Sequence, residues 1–335
     1  MNILFTSVGR RGYILRYFKE ILGDKGKVFA SNGTDNAPAF KFADEHVITP
    51  LIYDQKYIPF LLDYCLLNNI KIVISLFDID LPILSRNKDR FKDVGVKVIV
   101  SEPGVIDICN DKWKTFKWLK EKGFETVKTF LSTQEVLNAI KDKNVTYPLI
   151  VKPRWGMGSI AIQEIDNEQE LTTLYEKVKK QIQKTYLLYE SNSDLNNCVI
   201  VQEKIEATEY GLDVINDLDG NYVTTIVKEK LAMRSGETDS AVTVNNEVLQ
   251  NLGGKIGNNL GHIANLDVDV FLSGDKAFVL EMNARFGGGY PFSHLAGVNL
   301  PKAILSWING EKPDGDWFQS KIGIRGQKDI NVIYL

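Results

Sequence analysis

Apolar and polar residues alternate along the first third of the chain in a way that predicts short strands separated by helices. Apolar runs typical of buried strands occupy residues 3–6, 27–31, 47–49, 72–76 and 96–100. Helical spacing of apolar residues follows Gly12 and recurs over residues 57–68. Strands that alternate with helices predict a doubly wound parallel sheet, which we expect to end near Cys109.

The middle of the chain has fewer apolar runs and longer helical stretches. Helices are predicted over residues 111–122 and 168–182. A strand at 149–152 leads through a glycine-rich turn into a second strand at 159–163. The polar segment 184–197 predicts a plain connection.

From residue 199 onwards, short strands dominate the pattern. They are predicted at residues 199–202, 211–216, 222–230, 241–245, 267–272 and 277–283. The pair Asp219-Gly220 is typical of a hairpin turn, and one long helix is predicted over 246–260. This predicts a largely antiparallel sheet with a covering helix, followed by a last helix at 301–309 and a poorly patterned tail.

Composition and charge limit the classes of function. The chain has 335 residues, which predicts two or three compact units. Its formal net charge of -3 lacks the basic surplus that sequence-independent nucleic-acid binding needs. The three cysteines form no CxxC pair, so a structural zinc site is not expected. The first residues lack the apolar stretch of a signal peptide, and no run approaches the ~20 apolar residues of a membrane helix, so we expect a cytoplasmic protein.

A glycine-containing turn follows Lys152 at the end of a predicted strand. Gly156 and Gly158 allow successive amide groups to point at one anion, and Lys152 adds a positive charge suited to phosphate; Ser159 completes the turn. A plain hairpin with an exposed lysine is an equally good interpretation of these residues.

The apolar residues of the strands predicted at 267–272 and 277–283 indicate how these two strands pair with each other. Val270 alternates with its apolar neighbours on one face, and Leu280 does so in the second strand with Phe278 and Met282. Burying both apolar sets on one face requires a register that places Asp269 beside Glu281.

In that register, several oxygen ligands share one face of the predicted hairpin. Glu281, Asn283 and Arg285 are two residues apart, and Asp269 lies opposite. Carboxylate and amide oxygens at this spacing suit Mg2+ held with phosphates, and Arg285 could neutralise a transferring phosphoryl group. The alternative is a solvated strand face with acid–base pairs.

Two further segments carry weaker indications of a site. Glu203, Lys204 and Ile205 end an apolar strand between two units, where backbone groups could contact adenine and Glu209 could hold a ribose; a solvated turn is the alternative. The second segment carries three cations that could bind an anionic ligand or could equally prevent an exposed edge strand from pairing with another sheet: Lys228, Lys230 and Arg234.

Taken in this order, these elements resemble the ATP-grasp superfamily, and most of all its carbamoyl phosphate synthetase-like group. Glu281-Met-Asn-Ala-Arg285 looks like the family's metal motif E-x-N-x-R. The resemblance covers nearly the whole chain. It implies a parallel-sheet pre-ATP-grasp domain over 1–110, grasp subdomains over 111–190 and 191–310, and a tail over 311–335.

The resemblance also implies residue roles by position. Nucleotide contacts are implied for Lys112, Lys152, Lys228, the loop residues Gly156, Gly158 and Ser159, the hinge residues Glu203, Lys204 and Ile205, and the ribose acid Glu209. Metal ligands are implied at Asp269, where the family more often has Glu or Gln, and at Glu281 and Asn283; the implied catalytic cations are Arg285, Lys230 and Arg234.

The pre-ATP-grasp domain is expected to supply part of the substrate pocket. Ligands of open α/β sheets lie beyond the carboxyl ends of the strands. There, Arg10 or Arg11 could bind a carboxylate, and Asp78 or Asp80 an ammonium. Ordinary helix capping and turn formation explain the same residues equally well.

Together these observations predict an ATP- and Mg2+-dependent ligase that activates a carboxylate as an acyl phosphate and joins it to an amine, with Mn2+ as an alternative metal. The expected partners are small molecules, with no nucleic acid or membrane; a homodimer is left open. A phosphotransferase and a non-catalytic nucleotide-binding protein are the alternatives. A dinucleotide oxidoreductase is disfavoured because the segment from Ser7 to Gly12 lacks G-x-G-x-x-G.

Overall fold

The N-terminal part of the computed structural model, which describes residues 1–334, is a five-stranded parallel sheet in the order β3-β2-β1-β4-β5. Its strands are β1 (Asn2–Thr6), β2 (Val28–Asn32), β3 (Glu45–Ile48), β4 (Ile70–Ser75) and β5 (Lys97–Ile99). Its helices are α1 (Gly12–Leu22), α2 (Tyr57–Leu67), α3 (Leu81–Arg86), α4 (Lys88–Asp93) and α5 (Pro103–Asn110). The predicted parallel sheet is confirmed, whereas α3, α4 and α5 were not predicted.

The middle of the chain forms a four-stranded antiparallel sheet in the order β6-β9-β7-β8, with helices against it. Its elements are α6 (Lys112–Glu121), β6 (Thr129–Phe130), α7 (Thr133–Lys141), β7 (Leu149–Pro153), β8 (Gln163–Ile165), α8 (Glu168–Ile182), α9 (Leu187–Ser191) and β9 (Val199–Glu203). The helices predicted at 111–122 and 168–182 are confirmed.

Two predictions for this middle region are wrong. Residues 159–161 form a turn instead of a strand, because Ser159 and Ala161 have positive φ angles that break the extended backbone. The segment 184–197 is not a plain connection, since it contains α9, whose Leu187 is fully buried.

The last part of the chain is a six-stranded sheet in the order β14-β13-β10-β11-β12-β15, with every neighbouring pair antiparallel. Its strands are β10 (Thr208–Asn216), β11 (Tyr222–Arg234), β12 (Glu237–Thr243), β13 (Ala264–Ser273), β14 (Lys276–Asn283) and β15 (Arg325–Gln327). Its helices are α10 (Glu247–Leu260), α11 (Tyr290–Leu295) and α12 (Leu300–Ile308). The α/β and α+β fold class is therefore confirmed, and β15, supplied by the tail, is an addition.

Helix α10 covers one face of the large sheet, as its pattern predicted. Asn246 caps its first turn by accepting a hydrogen bond from the backbone of Leu249 at 3.0 Å. Gly253 faces Thr225 of the sheet so closely that a Cβ there would lie 2.3 Å from the threonine hydroxyl. Glycine at this position therefore lets the helix approach the sheet and bury its apolar face.

The hairpin of β13 and β14 contains a change of register. Near its turn, Phe271 lies opposite Phe278 and Val270 opposite Val279, whereas Asp269 lies opposite Glu281. One extra residue, Leu280, therefore forms a β-bulge in β14. The predicted pairing of Asp269 with Glu281 is confirmed, but the predicted common face for Phe278, Leu280 and Met282 is wrong.

Within residues 1–334, no helix is both long and apolar enough to cross a membrane.

Candidate active site

Polar side chains share the face of the large sheet that α10 leaves uncovered. Asp267 lies opposite Asn283, and Asp269 lies opposite Glu281. Their neighbour Val268 is fully buried on the other face. The alternation of β13 and the bulge in β14 thus gather oxygen atoms on one surface.

Glu281 lies beside two lysines from the middle of the chain. The Nζ atom of Lys112 is 3.7 Å from Glu281 Oε2 and donates a hydrogen bond to the carbonyl oxygen of Gly156 at 2.5 Å. Burial alone would raise the pKa of Glu281, but Lys112 and Lys152 hold it below its ordinary value. Glu281 is therefore an ionised carboxylate between two cations.

Lys152 is a buried cation at the end of β7, with only 5% of its surface exposed. Burial lowers the pKa of its ammonium to about 8, and the charge of Glu281 opposes this shift only in part. An anionic ligand beside Lys152 would favour its charged form, so the position suits a phosphate.

The titration of Lys152 should make kcat/KM for ATP fall as the pH rises above about 8. This quantity reports the ionisation of the free enzyme, and the ammonium loses its charge above its pKa. The variant Lys152→Arg keeps its charge throughout the range, so its profile should stay flat between about pH 7 and 9.5. Steady-state kinetics of ADP release across this range makes the measurement. A variant profile that falls with the wild-type profile would contradict the assignment.

A buried ion pair, which sequence reasoning missed, fixes the start of α6. Arg154 donates two hydrogen bonds to the carboxylate of Asp111, both at 2.7 Å. Asp111 also caps α6 by accepting from the backbone of Trp113 at 3.0 Å. The sequence does indicate that Asp111, directly before Lys112, could cap a helix. It gives no indication that Arg154, 43 residues further on, pairs with this aspartate. The pair holds Lys112 in place beside the loop after β7.

Lys230 is enclosed by two carboxylates. Its Nζ atom is 2.7 Å from Glu209 Oε1 and 2.6 Å from Asp269 Oδ1. Burial alone would lower the pKa of Lys230, but these two carboxylates raise it. One oxygen of Asp269 is therefore already held by an ammonium, and the predicted ribose acid Glu209 also pairs with Lys230.

Two predicted cations lie away from Glu281. Lys228 is 1% exposed, and its ammonium pairs with Asp213 and donates to Ser293 at 3.1 Å, inside the protein. Arg234 ends β11, where it pairs with Asp239 at 2.8 Å and lines a separate surface groove with residues 327–330. The structure thus does not bring Lys228 or Arg234 to the oxygen ligands.

Arg285 joins the metal-like motif to the N-terminal sheet. It donates two hydrogen bonds to Asp78 Oδ2, at 2.9 and 3.1 Å, and one to Asp267 Oδ2 at 3.0 Å. Arg11 comes to the same junction and donates to the carbonyl oxygen of Phe286 at 3.1 Å. The predicted substrate residues Asp78 and Arg11 therefore lie next to the motif.

The other two predicted substrate residues do not line this junction. Asp80 is fully buried, and its carboxylate accepts hydrogen bonds from Tyr57 at 2.8 Å, Ser75 at 3.0 Å and Ser7 at 3.1 Å. Its oxygens are thus occupied within the fold, and a structural role replaces the predicted ammonium contact. Arg10 is exposed to solvent.

The predicted adenine segment lies at the end of β9. The Glu203 carboxylate accepts a hydrogen bond from the backbone of Lys128 at 2.8 Å, and Lys204 pairs with Glu164 at 2.8 Å. Ile205 is half-buried. These contacts fix the segment between the two antiparallel sheets.

The glycine-rich loop contacts the tip of the β11–β12 hairpin. Gly156, Gly158 and Ser159 all have positive φ angles. Gly236, at the tip, faces Gly158 so closely that a Cβ on Gly236 would lie 2.5 Å from the Gly158 carbonyl carbon. Glycine at position 236 therefore lets the hairpin and the loop touch.

We expect Gly236→Ala to raise the KM for ATP roughly tenfold, equivalent to about 1.4 kcal/mol, because the added methyl group pushes the loop away. Gly274→Ala is the matched control. Gly274 also has a positive φ in a two-residue hairpin turn, but a Cβ there meets nothing within 4 Å. Kinetics and limited proteolysis of the loop make the comparison. Equal effects of both variants would show that backbone strain alone is responsible.

A small cleft, open on one side to solvent, lies between these elements. The residues that line it come from the loop after β4, from the α5–α6 junction, from the glycine-rich loop, from α9 and from β14, and include Asp78, Asn110, Lys112, Glu190, Glu281 and Asn283. Burial and the charge of Asp78 raise the pKa of Glu190 to about 7. Glu190 is a second residue that sequence reasoning missed.

The oxygen atoms at this cleft fit a hard divalent cation only together with ligand oxygens. Across residues 1–334, no three His, Cys, Asp or Glu side chains lie close enough together to hold a metal ion. Glu281 and Asn283 face the cleft, and Asp269 is paired with Lys230. This incomplete set of carboxylate and amide oxygens is typical of Mg2+ that is held jointly with phosphates.

Comparison with protein families gives two matches. A family model described as "ATP-grasp domain" matches residues 109–289, and one described as "PylC-like, N-terminal domain" matches residues 3–99. The first match includes the glycine-rich loop and the Glu281 motif.

Individual relatives are carbamoyl phosphate synthase large chains. That of Campylobacter jejuni is 26% identical over 222 residues, which cover 64% of this chain and 19% of the relative. That of Helicobacter pylori strain 26695 is 28% identical over 208 residues, which cover 59% of this chain and 18% of the relative. The aligned part is thus less than a fifth of the length of these relatives.

Solved structures share the fold at low identity. The biotin carboxylase domain of Hydrogenobacter thermophilus 2-oxoglutarate carboxylase, in complex with MgADP, has a TM-score of 0.72 at 18% identity, covering 93% of this chain and 70% of that chain. N5-carboxyaminoimidazole synthetase from Staphylococcus aureus, in complex with ADP, has a TM-score of 0.69 at 15% identity, covering 94% of this chain and 78% of that chain. L-amino acid ligase from Bacillus licheniformis has a TM-score of 0.67 at 18% identity, covering 91% of this chain and 74% of that chain.

Proposed function

The chain belongs to the ATP-grasp family, and we propose that it is an ATP-dependent ligase that joins a small carboxylate to an amine. In the first step, a carboxylate oxygen attacks the γ-phosphorus of ATP, and ADP leaves. In the second step, the amine nitrogen attacks the acyl phosphate, phosphate leaves, and the amine loses a proton to form the amide. Both steps balance without a redox partner or a covalent enzyme intermediate.

One observation supports this proposal above the others. Glu281 and Asn283 line the same cleft as Lys112, and Lys152 acts on the charge of Glu281 from nearby. Two cations facing two oxygen ligands match the needs of a nucleotide's terminal phosphates with their metal. Charge neutralisation and positioning are the main contributions to phosphoryl transfer.

The residues of the chain divide this work in the proposal. Lys112 and Lys152 hold phosphate oxygens, the loop of Gly156, Gly158 and Ser159 closes over them, and the backbone of residues 203–205 contacts adenine. Glu281 and Asn283, with Asp269, hold Mg2+, which when bound neutralises charge on the phosphates. Arg285 is the cation that neutralises charge on the transferring phosphoryl group, and Asp78 and Asp267 hold its guanidinium in place.

Several broader features remain part of the same proposal. They are the division into units at 1–110, 111–190, 191–310 and 311–335, a cytoplasmic location, small-molecule substrates, and activity with Mn2+ in place of Mg2+. Relatives named as synthases and ligases of several kinds are compatible with more than one carboxylate, with an amino acid as the default.

The test is ADP release from the full chain against a panel of carboxylates and amines offered in pairs, with Mg2+ and Mn2+ compared. The proposal predicts that ADP release requires a carboxylate and that mass spectrometry detects an amide. A stable phosphorylated product in place of an amide would favour a phosphotransferase. ATP binding without turnover over the whole panel would favour a non-catalytic nucleotide-binding protein.

A further inference from the structure

Lys230 reaches across a neighbouring strand to hold a carboxylate on the face that carries the proposed metal ligands. It belongs to β11, whereas Asp269 belongs to β13, and β10 lies between these two strands. Its Nζ atom nevertheless donates a hydrogen bond to Asp269 Oδ1 at 2.6 Å. A side chain that crosses a whole strand needs a gap among the side chains of that strand.

Gly211 of β10 provides this gap. It is the residue of β10 that pairs with Asp269. A Cβ at this position would already lie 3.4 Å from Cε of Lys230, so a larger side chain would meet the lysine stem. Gly211 does not have a positive φ angle. The position therefore needs the absence of a side chain, and not a special backbone conformation.

A second carboxylate fixes the ammonium of Lys230 at this place. Glu209 Oε1 accepts a hydrogen bond from Nζ at 2.7 Å, and the lysine side chain is only 5% exposed. Moving the ammonium into solvent would leave both carboxylates without their common cation, and breaking a buried ion pair in this way is costly. Lys230 is therefore a fixed cation of this face.

The other carboxylate that β13 presents on this face is also paired. Asp267 Oδ2 accepts a hydrogen bond from Arg285 at 3.0 Å. Both carboxylates of β13 thus have cations of the protein beside them. In β14, by contrast, Glu281 and Asn283 line the cleft, and the Glu281 side chain is 27% exposed. The oxygens that a ligand can reach most easily therefore lie on β14.

We propose that Lys230 takes the place of a second metal ion, so that the nucleotide site binds a single divalent cation. Two divalent cations often clamp a phosphoryl group together. Glu281, opposite Asp269 and two residues before Asn283, could bridge two such ions. However, Asp269 Oδ1 already accepts a hydrogen bond from an ammonium, and two cations at one oxygen repel each other. The single ion is held by Glu281 and Asn283, with the remaining oxygen of Asp269 and phosphate oxygens.

This inference rests on the proposed function, because it needs a nucleotide in the cleft, and it adds the number of metal ions and a role for Lys230. An ammonium has three N–H donors. Glu209 and Asp269 use two of them, so the third is available to a phosphate oxygen. Lys230 thereby neutralises charge on the phosphates, as a second metal ion would.

The test counts the Mn2+ ions that the full chain binds together with an ATP analogue that has an imido group between its β- and γ-phosphates. The electron paramagnetic resonance signal of free Mn2+ falls as ions bind, so a titration gives the number of ions per chain without turnover. The same titration without the analogue subtracts ions bound elsewhere. For the wild-type protein, we expect one ion per chain and no exchange coupling between Mn2+ ions. Two ions per chain would overturn the proposal.

A variant of Lys230 tests whether the ammonium is what excludes the second ion. Lys230→Met removes the charge and keeps the length of the side chain, so the count should rise from one to two and exchange-coupled lines should appear. Lys276→Met removes an exposed lysine from the turn of the β13–β14 hairpin and should leave the count at one. A folded Lys230→Met protein that still binds one ion would refute the replacement of a metal ion by Lys230.

Variants of Gly211 make the same test with every charge kept, in case Lys230→Met does not fold. Gly211→Val fills the gap in β10 with a residue that suits a strand, which should push the lysine stem away from Asp269 and raise the count to two. Gly211→Ala is the matched control, because its methyl group stays at an ordinary contact distance, and its count should remain at one. A count of one in Gly211→Val would contradict the proposal.

The ion count and the ADP-release panel fail separately. Two Mn2+ ions in the wild-type protein, with amide formation in the panel, would keep the ligase and reject the single-ion site. One ion per chain, without a product from any pair, would keep the single-ion site and reject the ligase. Failure of the ATP analogue to bind would reject both.

Discussion

Replacing Glu281 with glutamine should reduce ADP release by a factor on the order of 10³ and leave the fold intact. The carboxylate faces the cleft between Lys112 and Lys152 and is held ionised by them. Glutamine keeps the shape but removes the charge that a divalent cation needs, and metal-based charge stabilisation is worth several kcal/mol. Steady-state ADP release, with circular dichroism as the check on folding, makes the measurement.

The matched control for Glu281→Gln is Asp275→Asn. Asp275 is an exposed carboxylate in the turn of the same hairpin, so its loss should leave turnover within a factor of about two. Wild-type turnover in Glu281→Gln would remove the metal assignment. A similar loss in both variants would point to general disturbance of the hairpin.

Arg285→Gln should lower the free energy of unfolding by about 3–5 kcal/mol, because it leaves two carboxylates without their common cation. Asp78 and Asp267 both accept hydrogen bonds from this guanidinium, and the arginine side chain is only 7% exposed. ADP release should fall as well, since the same group joins the motif to the N-terminal sheet. Urea unfolding followed by circular dichroism measures the stability.

Two companion variants sharpen the Arg285 prediction. Arg285→Lys keeps the charge but loses the fork that reaches both carboxylates, so its stability should lie between those of wild type and Arg285→Gln. Arg86→Gln removes an exposed arginine from α3 and should change the unfolding free energy by less than about 0.5 kcal/mol. If Arg285→Gln unfolds at the wild-type urea concentration, the ion pairs contribute nothing to stability.

Local patterns predicted the elements whose burial is regular along the chain. The central parallel strands follow from continuous apolar runs, because they are buried on both faces. The helices α6, α8 and α10 and the pairing of Asp269 with Glu281 follow from apolar spacing, because burial of one face fixes the period. The bulge at Leu280 did not follow, since Phe278, Leu280 and Met282 alternate without interruption in the sequence. Only the pairing with β13 shows that the backbone inserts a residue there.

Contacts between distant segments could not be predicted from the sequence. Arg154 meets Asp111 across 43 residues, and Arg285 meets Asp78 across 207 residues. Glu190 lies in a segment that appeared to be a polar connection, although Leu187 and the tyrosines beside it pack on two other parts of the chain. Such positions are decided by tertiary packing, which leaves little trace in local periodicity.

The extra residue at position 280 also bears on how related sequences should be aligned. Without Leu280, Val279 would join Glu281 directly, and both would keep their present partners, Val270 and Asp269. Loss of Met282, in contrast, would turn Asn283 towards the core, because side chains alternate along a strand. In an alignment of homologous chains, we therefore expect that a one-residue gap is tolerated at position 280. No gap is expected between the proposed ligands Glu281 and Asn283.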